Sequence, residues 1–263
     1  MHPYLFEFSG IKIPAYGVMV FLGYLSGIIY LLKNAKKAGF SRENILTLMP
    51  PVIIGAILGG KILYILTFWN YFGDTLAGRL TAIIKDFRSG FVFYGGLAGG
   101  FTLLAVYAGK LKIGLPKLLD FMAPAAALGH SLGRLGCFFA GCCHGKPSTS
   151  LFAITFDHPE SLVDLKYLGM PLHPVQIYEA AGNFALFLFL DRLFKTSIKR
   201  KWKPLTTTLA YLSGYSGLRF FLEFFRGDNR GAAVLSLSNG QIISIAIIIA
   251  CALVYFRNVP KNN

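Results

Sequence analysis

The sequence predicts an all-α membrane protein with about seven transmembrane helices. Hydrophobic residues make up 54% of its 263 residues and charged residues only 14%, whereas a soluble domain carries roughly a quarter charged residues. A helix needs about 20 apolar residues to cross a bilayer, and seven stretches approach or reach that length. They run over residues 17–33, 48–68, 91–108, 118–139, 176–194, 205–223 and 239–256.

The basic residues predict the orientation of these spans. If the N-terminus lies outside, the inner segments carry fifteen of the 26 lysines and arginines, against eight on the outer side. An excess of basic residues in short cytoplasmic loops is the usual orientation signal, so we place the C-terminus in the cytoplasm. The formal net charge of +14 then reflects topology and attraction to lipid headgroups. We expect membrane lipids, and no nucleic acid, as partners.

The chain is predicted to form a single integral membrane domain over residues 1–263. It contains no internal repeat and no low-complexity linker that would mark a domain boundary. The longest polar connection, about 140–175, lies on the outer side in the predicted topology. A connection of that length is uncommon in a compact protein and is often functional.

Four charged side chains lie within or at the rim of predicted spans: Arg134, Glu179, Arg219 and Glu223. Ionised groups at membrane depth are costly, so such residues usually face the protein interior and mark a functional site. A guanidinium presents a rigid fork of donors that matches paired phosphate oxygens, which favours phosphate binding by Arg134 over a purely structural ion pair. Arg219 and Glu223 are four residues apart on one helix face. They form a salt bridge, part of an active site, or both.

Three cysteines and a histidine follow closely on Arg134. Cys137, Cys142, Cys143 and His144 have the spacing C-x4-C-C-H, which fits no standard zinc pattern, so the sequence predicts no metal. Cys137 is expected to be a small buried apolar residue. Cys142 and Cys143 should lie near the oxidising outer face, where a disulfide is possible.

A second motif opens the fifth predicted span, where residues 173–179 read His-Pro-Val-Gln-Ile-Tyr-Glu. Pro174 suits the first turn of a helix, and Tyr178 suits the membrane interface. Glu179 suits it poorly, because an isolated carboxylate at this depth would take up a proton. An interfacial anchor therefore accounts for Tyr178 and does not account for Glu179.

Together these motifs resemble the prolipoprotein diacylglyceryl transferase family, and the resemblance covers essentially the whole chain in order. From the first span to the seventh, the matching segments are Tyr16-Gly17, Gly59-Gly60-Lys61-Ile62, Gly95-Gly96, Asp120-Phe121 with Gly133-Arg134-Leu135-Gly136, residues 173–179, residues 219–226 and Gly240-Gln241-Ile242.

The resemblance implies a multi-pass enzyme of the bacterial cytoplasmic (inner) membrane with its active site toward the outer face. Such an enzyme transfers the sn-1,2-diacylglyceryl group of phosphatidylglycerol to the lipobox cysteine of a prolipoprotein signal peptide and releases glycerol 1-phosphate. It requires no metal and no organic cofactor. Arg134, Arg219 and Tyr94 take the catalytic roles. The implied substrate-binding residues are Arg134, Tyr16, Gly95, Gly96, Gln176, Tyr178, Glu179, Glu223 and Arg226.

The chain departs from the family pattern at several positions. The family signature runs Gly-Arg-x-Gly-Asn-Phe-x-Asn-x-Glu, and here Cys137, Ala140 and Cys142 replace its asparagines and glutamate. Tyr94 stands where the family's His-Gly-Gly has a histidine. Tyr94 is therefore one candidate for the proton acceptor, and His144 or solvent is the alternative.

Two other functions stay open at this point. A transporter could use buried Arg–Glu pairs to gate a charged solute, although the halves of this chain show no repeat, a common transporter signature. A lipid-binding homologue without transfer activity would also fit the altered signature.

Overall fold

The computed structural model describes residues 3–8, 11–85, 90–227 and 237–258, and helices dominate these residues. The helices are α1 (Ala15–Ala38), α2 (Arg42–Thr67), α3 (Leu76–Lys85), α4 (Phe93–Lys110), α5 (Leu115–Ala140), α6 (Val175–Lys199), α7 (Thr206–Leu222) and α8 (Asn239–Asn258). Two short antiparallel pairs accompany them. Strand β1 (Tyr4–Phe8) pairs with β2 (Ile11–Pro14), and β3 (Ile154–Thr155) pairs with β4 (Pro171–Leu172).

Each of the seven predicted spans coincides with a long helix, and α3 is an additional short one. Among the described residues, three helices are long and apolar enough to cross a membrane by length and hydropathy alone: α1, α2 and residues Asn239–Arg257 of α8. The prediction of a helical membrane protein is therefore confirmed. The count of seven spans and the orientation of the termini stay predictions.

The chain divides into two compact units. The first comprises Met1–Lys33 and Leu119–Asn263, and the second comprises Asn34–Leu118. The prediction of a single integral membrane domain over residues 1–263 stays a prediction.

The second unit is built on close packing of α2 against α4. Glycines occupy the contact on both helices: Gly55 and Gly59 on α2, and Gly95 and Gly99 on α4. A Cβ atom at Gly99 would overlap the carbonyl oxygen of Gly55 and would lie 3.0 Å from the Cα atom of Gly59. Small residues that let two backbones approach are the usual basis of helix association in membranes. The glycines therefore set the distance between these helices.

We expect Gly99→Ala to lower the thermal stability of the protein, because overpacking typically costs about 1–3 kcal/mol. Gly109→Ala, in the last turn of the same helix, is the matched control, since a Cβ there meets no atom within 4 Å. It should be neutral or slightly stabilising, because alanine is the better helix former. Thermal unfolding followed by circular dichroism in detergent tests the pair. Equal melting temperatures for both variants would contradict the packing argument.

In the first unit, α1, α5, α6 and α7 are tied together by close contacts and polar bridges. A Cβ atom at Gly23 of α1 would lie 2.9 Å from the carbonyl oxygen of Gly129 on α5. The amide and hydroxyl of Thr208 donate to Asp120 Oδ1 at 2.8 and 2.9 Å. Asp120, buried on α5, thus caps the first turn of α7 from a neighbouring helix and satisfies amides that an isolated helix leaves unpaired.

The connection between α5 and α6 is an ordered element of the first unit. Residues 144–147 lie between residues 171–173 and 225–227 and hydrogen-bond to both through the backbone. A Cβ atom at Gly145 would overlap the carbonyl oxygen of His173, so this position requires glycine. An apolar cluster beneath these segments contains Phe138, Phe156, Val163 and Leu172. The connection therefore fixes both the start of α6 and the segment that ends at residue 227.

Candidate active site

Arg134, which is partly exposed, and Glu179 form an ion pair between α5 and α6. Arg134 Nη2 lies 3.0 Å from Glu179 Oε1, and the Glu179 side chain is fully buried. The hydroxyl of Tyr215, on α7, donates to the same carboxylate oxygen at 3.0 Å. An opposite charge and a hydrogen bond both favour the ionised carboxylate. Arg134 is therefore a counter-charge of Glu179.

A second ion pair lies at the end of α7 and is connected to the first by Arg226. Arg219 Nη2 lies 2.5 Å from Glu223 Oε2, which confirms the salt bridge that the spacing predicts. Arg226 Nη1 lies 3.8 Å from Glu179 Oε2, and its Nε lies 4.0 Å from Glu223 Oε2. The network thus contains three arginines and two glutamates. Guanidinium groups gathered in this way are suited to bind the oxygens of an anion such as phosphate.

Glu223 also faces the beginning of α8. The α7 helix ends at Leu222 and continues as a single 3-10 turn, Glu223–Phe225. A Cβ atom at Gly240, in the first turn of α8, would lie 3.1 Å from the Glu223 carboxylate. A helix N-terminus carries a partial positive charge that favours a nearby carboxylate. Glycine at this position leaves room for the contact.

Three residues of the network were not predicted from the sequence: His130, Asn183 and Tyr215. Arg134 Nε donates to His130 Nε2 at 3.3 Å, and Asn183 Nδ2 donates to the backbone oxygen of Glu179 at 2.8 Å. Each of the three lies four residues from a predicted charged residue on the same helix. Side chains four residues apart lie on one helix face. This spacing is the sequence signal from which these three residues could have been predicted.

The predicted binding residues of the first unit lie close to this network or support it. Gln176 is almost fully buried and donates from Nε2 to the backbone oxygen of Cys142 at 2.8 Å. The Tyr178 ring meets the Phe225 ring edge-on at 6.4 Å between centroids. Tyr16 packs on α5, where a Cβ atom at Gly136 would lie 3.2 Å from Tyr16 Cδ2.

The other three predicted site residues, Tyr94, Gly95 and Gly96, belong to the second unit. Tyr94 is 63% exposed. A Cβ atom at Gly95 would overlap the backbone of Gly59, and one at Gly96 would lie 3.1 Å from the Ala56 carbonyl oxygen. The structure gives both glycines a packing role. Their contact with substrate, and the catalytic role of Tyr94, stay predictions.

The three cysteines after Arg134 come together in space. The sulfurs of Cys137, Cys142 and Cys143 all lie within 4.8 Å of one another. No disulfide joins them, and each is partly exposed. Cys137 was expected to be a buried apolar residue, whereas it is partly exposed and faces two other thiols. The spacing did not predict this cluster, because its formation depends on how the chain turns after α5.

Long apolar helices that pack around a network of arginines and glutamates define an integral membrane protein. A model of the prolipoprotein diacylglyceryl transferase family matches residues 3–257. The chain belongs to this family, which confirms the resemblance seen in its motifs.

Named relatives match along nearly the whole chain. Phosphatidylglycerol–prolipoprotein diacylglyceryl transferase 2 of Clostridium perfringens is 38% identical over 97% of this chain and 95% of its own length. The transferase of Clostridium tetani is 36% identical over 97% of both chains. That of Finegoldia magna is 32% identical over 96% of this chain and 94% of its own.

Proposed function

We propose that this transferase acts in lipoprotein maturation by moving the sn-1,2-diacylglyceryl group of phosphatidylglycerol to the lipobox cysteine thiol of a prolipoprotein. The observation that carries the proposal is the network of three arginines and two glutamates, whose guanidinium groups match paired phosphate oxygens. Phosphatidylglycerol offers the matching anion, a phosphodiester at the membrane surface. The relatives named above carry this activity in their names.

The proposed reaction is a displacement at carbon. The lipobox thiolate attacks the glycerol carbon that bears the phosphate oxygen, a carbon–sulfur thioether bond forms, and the carbon–oxygen bond breaks. The electron pair goes to the phosphate oxygen, and glycerol 1-phosphate leaves. Arg134 and Arg219 bind the phosphate as its charge develops, which is the kind of interaction that accelerates such a step most. Glu179 and Glu223 hold the two guanidinium groups in orientation.

We place the reaction at the outer face of the bacterial inner membrane. Arg134 lies near the end of α5 and Glu179 near the start of α6, on either side of the long connection over residues 141–174. The basic-residue pattern assigns that connection to the outer side. A lateral opening between helices would admit the lipid, and the connection would meet the signal peptide.

Complementation of a transferase-depleted bacterium tests the proposal. We expect the reporter lipoprotein to gain one diacylglyceryl group on its N-terminal cysteine, measured by mass spectrometry. Purified protein with radiolabelled phosphatidylglycerol and a lipobox peptide should give the same labelled product. Lipid binding without any transfer would identify a non-catalytic homologue, and solute flux in liposomes would identify a transporter.

We also propose that Tyr94 assists removal of the thiol proton, in the place of the family's histidine. Tyr94→Phe should slow transfer at least about 100-fold, the low end of what removing an acid–base group costs. Tyr94→His should restore it, with a pH midpoint moved toward the ordinary histidine value of about 6.5. The pH–rate profiles of both variants test whether Tyr94 takes part in removing the thiol proton. A Tyr94→Phe enzyme with an unchanged rate and profile would transfer the role to His144 or solvent.

A further inference from the structure

The cysteine cluster has the dimensions of a metal site. Zinc–sulfur bonds of about 2.3 Å in a tetrahedral arrangement place sulfurs about 3.8 Å apart. The sulfurs of Cys137, Cys142 and Cys143 lie within 4.8 Å of one another before any ion is bound. Side-chain rotations that move each sulfur by less than about 1 Å would therefore close the site. The C-x4-C-C-H spacing argued against a metal ion. The fold nevertheless brings the three sulfurs close enough to share one.

The backbone that carries these cysteines has an unusual conformation. Cys143 has a φ of 59° and Gly141 a φ of 80°, and a residue other than glycine rarely adopts a positive φ. Adjacent residues of an extended chain point in opposite directions, whereas this turn brings the sulfurs of Cys142 and Cys143 to one side. The hydrogen bond from Gln176 to the Cys142 carbonyl holds the turn in place.

Two arginines of the arginine–glutamate network lie beside the cysteine cluster. Arg134 and Arg226 lie near enough to Cys143 to interact electrostatically with its sulfur, and Arg134 interacts with Cys137 as well. Three thiolates around one Zn²⁺ carry a single negative charge. Arg134 and Arg226 carry the opposite charge, so their position beside the cluster is compatible with such an anion.

We propose that Cys137, Cys142 and Cys143 hold a zinc ion whose fourth position takes the lipobox cysteine thiol. The catalytic part rests on the transfer function proposed above. Three protein ligands with an open fourth position are typical of catalytic zinc, and structural sites have four. Partial exposure of all three cysteines leaves that position accessible. The proposal replaces the prediction of no metal that was made from the spacing.

The ion would activate the nucleophile of the reaction. A free cysteine thiol has a pKa of about 8.5, so roughly 3% is thiolate at pH 7. A thiol that coordinates a metal ion is deprotonated. Its proton passes to water. Held as a thiolate by the site, the lipobox sulfur would attack the glycerol carbon, the carbon–oxygen bond to the phosphate would break, and glycerol 1-phosphate would leave. This role would explain two departures from the family pattern together. The cysteines that replace signature residues would activate the thiol, and the family's histidine would not be needed for that step.

Metal binding is tested on the purified full-length protein in detergent, independently of any activity. We expect one zinc per chain by elemental analysis, and a sulfur-to-metal charge-transfer band after cobalt substitution. Cys137→Ala, Cys142→Ala and Cys143→Ala should each lower metal affinity more than about 100-fold, since losing even outer partners of a metal costs about 10–100-fold. Cys251→Ala, at a buried cysteine of α8, should retain both the zinc and the band. Metal-free protein that takes up no zinc or cobalt, or that contains a disulfide within the cluster, would overturn the proposal.

The open position is tested with a lipobox peptide. In the cobalt protein the peptide should strengthen the charge-transfer band, because it adds a fourth sulfur, and a peptide with serine in place of cysteine should not. Zinc removal should lower transfer at pH 7 by up to about 30-fold, the inverse of the thiolate fraction, and added zinc should restore it. Full transfer by metal-free protein would overturn the catalytic role. If no transfer occurs under any condition, the proposed function fails. The change of the cobalt charge-transfer band on adding the peptide still shows whether the site binds the thiol.

Discussion

Replacing Arg134 by lysine is expected to lower diacylglyceryl transfer by roughly 10²–10³, as loss of one transition-state donor usually does, while the protein still folds. Lysine keeps the positive charge, and it can still pair with Glu179. It cannot present two parallel N–H donors to a phosphate, and it cannot donate to His130 through a guanidinium Nε as Arg134 does at 3.3 Å. The effect should therefore fall on the rate of transfer, measured with labelled phosphatidylglycerol and a lipobox peptide.

The matched control for this variant is Arg192→Lys. Arg192 is exposed on α6, the helix that carries Glu179, and its replacement should leave the rate within about twofold, since surface substitutions usually change stability by less than about 0.5 kcal/mol. Thermal unfolding of both variants would show that the fold is retained. Near-normal turnover of the Arg134→Lys enzyme would contradict bidentate binding of the phosphate by the Arg134 guanidinium.

Contacts within one helix could be predicted from the sequence, because helical periodicity is local. The Arg219–Glu223 salt bridge follows from a spacing of four residues. The same rule would have found Tyr215, four residues before Arg219. The helical class and the approximate bounds of the long helices follow from apolar length alone.

Contacts between distant segments could not be predicted in the same way. Nothing in the spacing of Arg134 and Glu179 determines that α5 and α6 bring them within 3.0 Å. The position of Arg226 depends on backbone pairing between residues 225–227 and 144–147. The cysteine cluster depends on a positive φ at Cys143, a conformation that few residues other than glycine adopt. In each case tertiary packing or local backbone geometry decides the contact.

We expect Glu179→Gln to abolish detectable transfer and also to destabilise the protein. Glu179 is the fully buried counter-charge of Arg134 at 3.0 Å and of Arg226 at 3.8 Å. Breaking a buried ion pair from one side typically costs about 3–5 kcal/mol, because the remaining charge is left uncompensated. The exposed pair between Lys12 and Glu160, 2.6 Å apart, provides the comparison. Glu160→Gln should change stability by no more than about 1 kcal/mol.

A second substitution separates the stabilising role of Glu179 from its role in the reaction. In the double variant Glu179→Gln with Arg134→Gln, both charges of the closest pair are removed together. Part of the lost stability should return, since no arginine is then left facing a neutral amide at 3.0 Å, and replacing both partners of a buried pair is often close to neutral. Transfer should stay abolished, because the guanidinium that binds the phosphate is gone. If Glu179→Gln alone melts at the same temperature as the unmodified protein and transfers lipid at a similar rate, then Glu179 neither holds Arg134 in place nor compensates its charge.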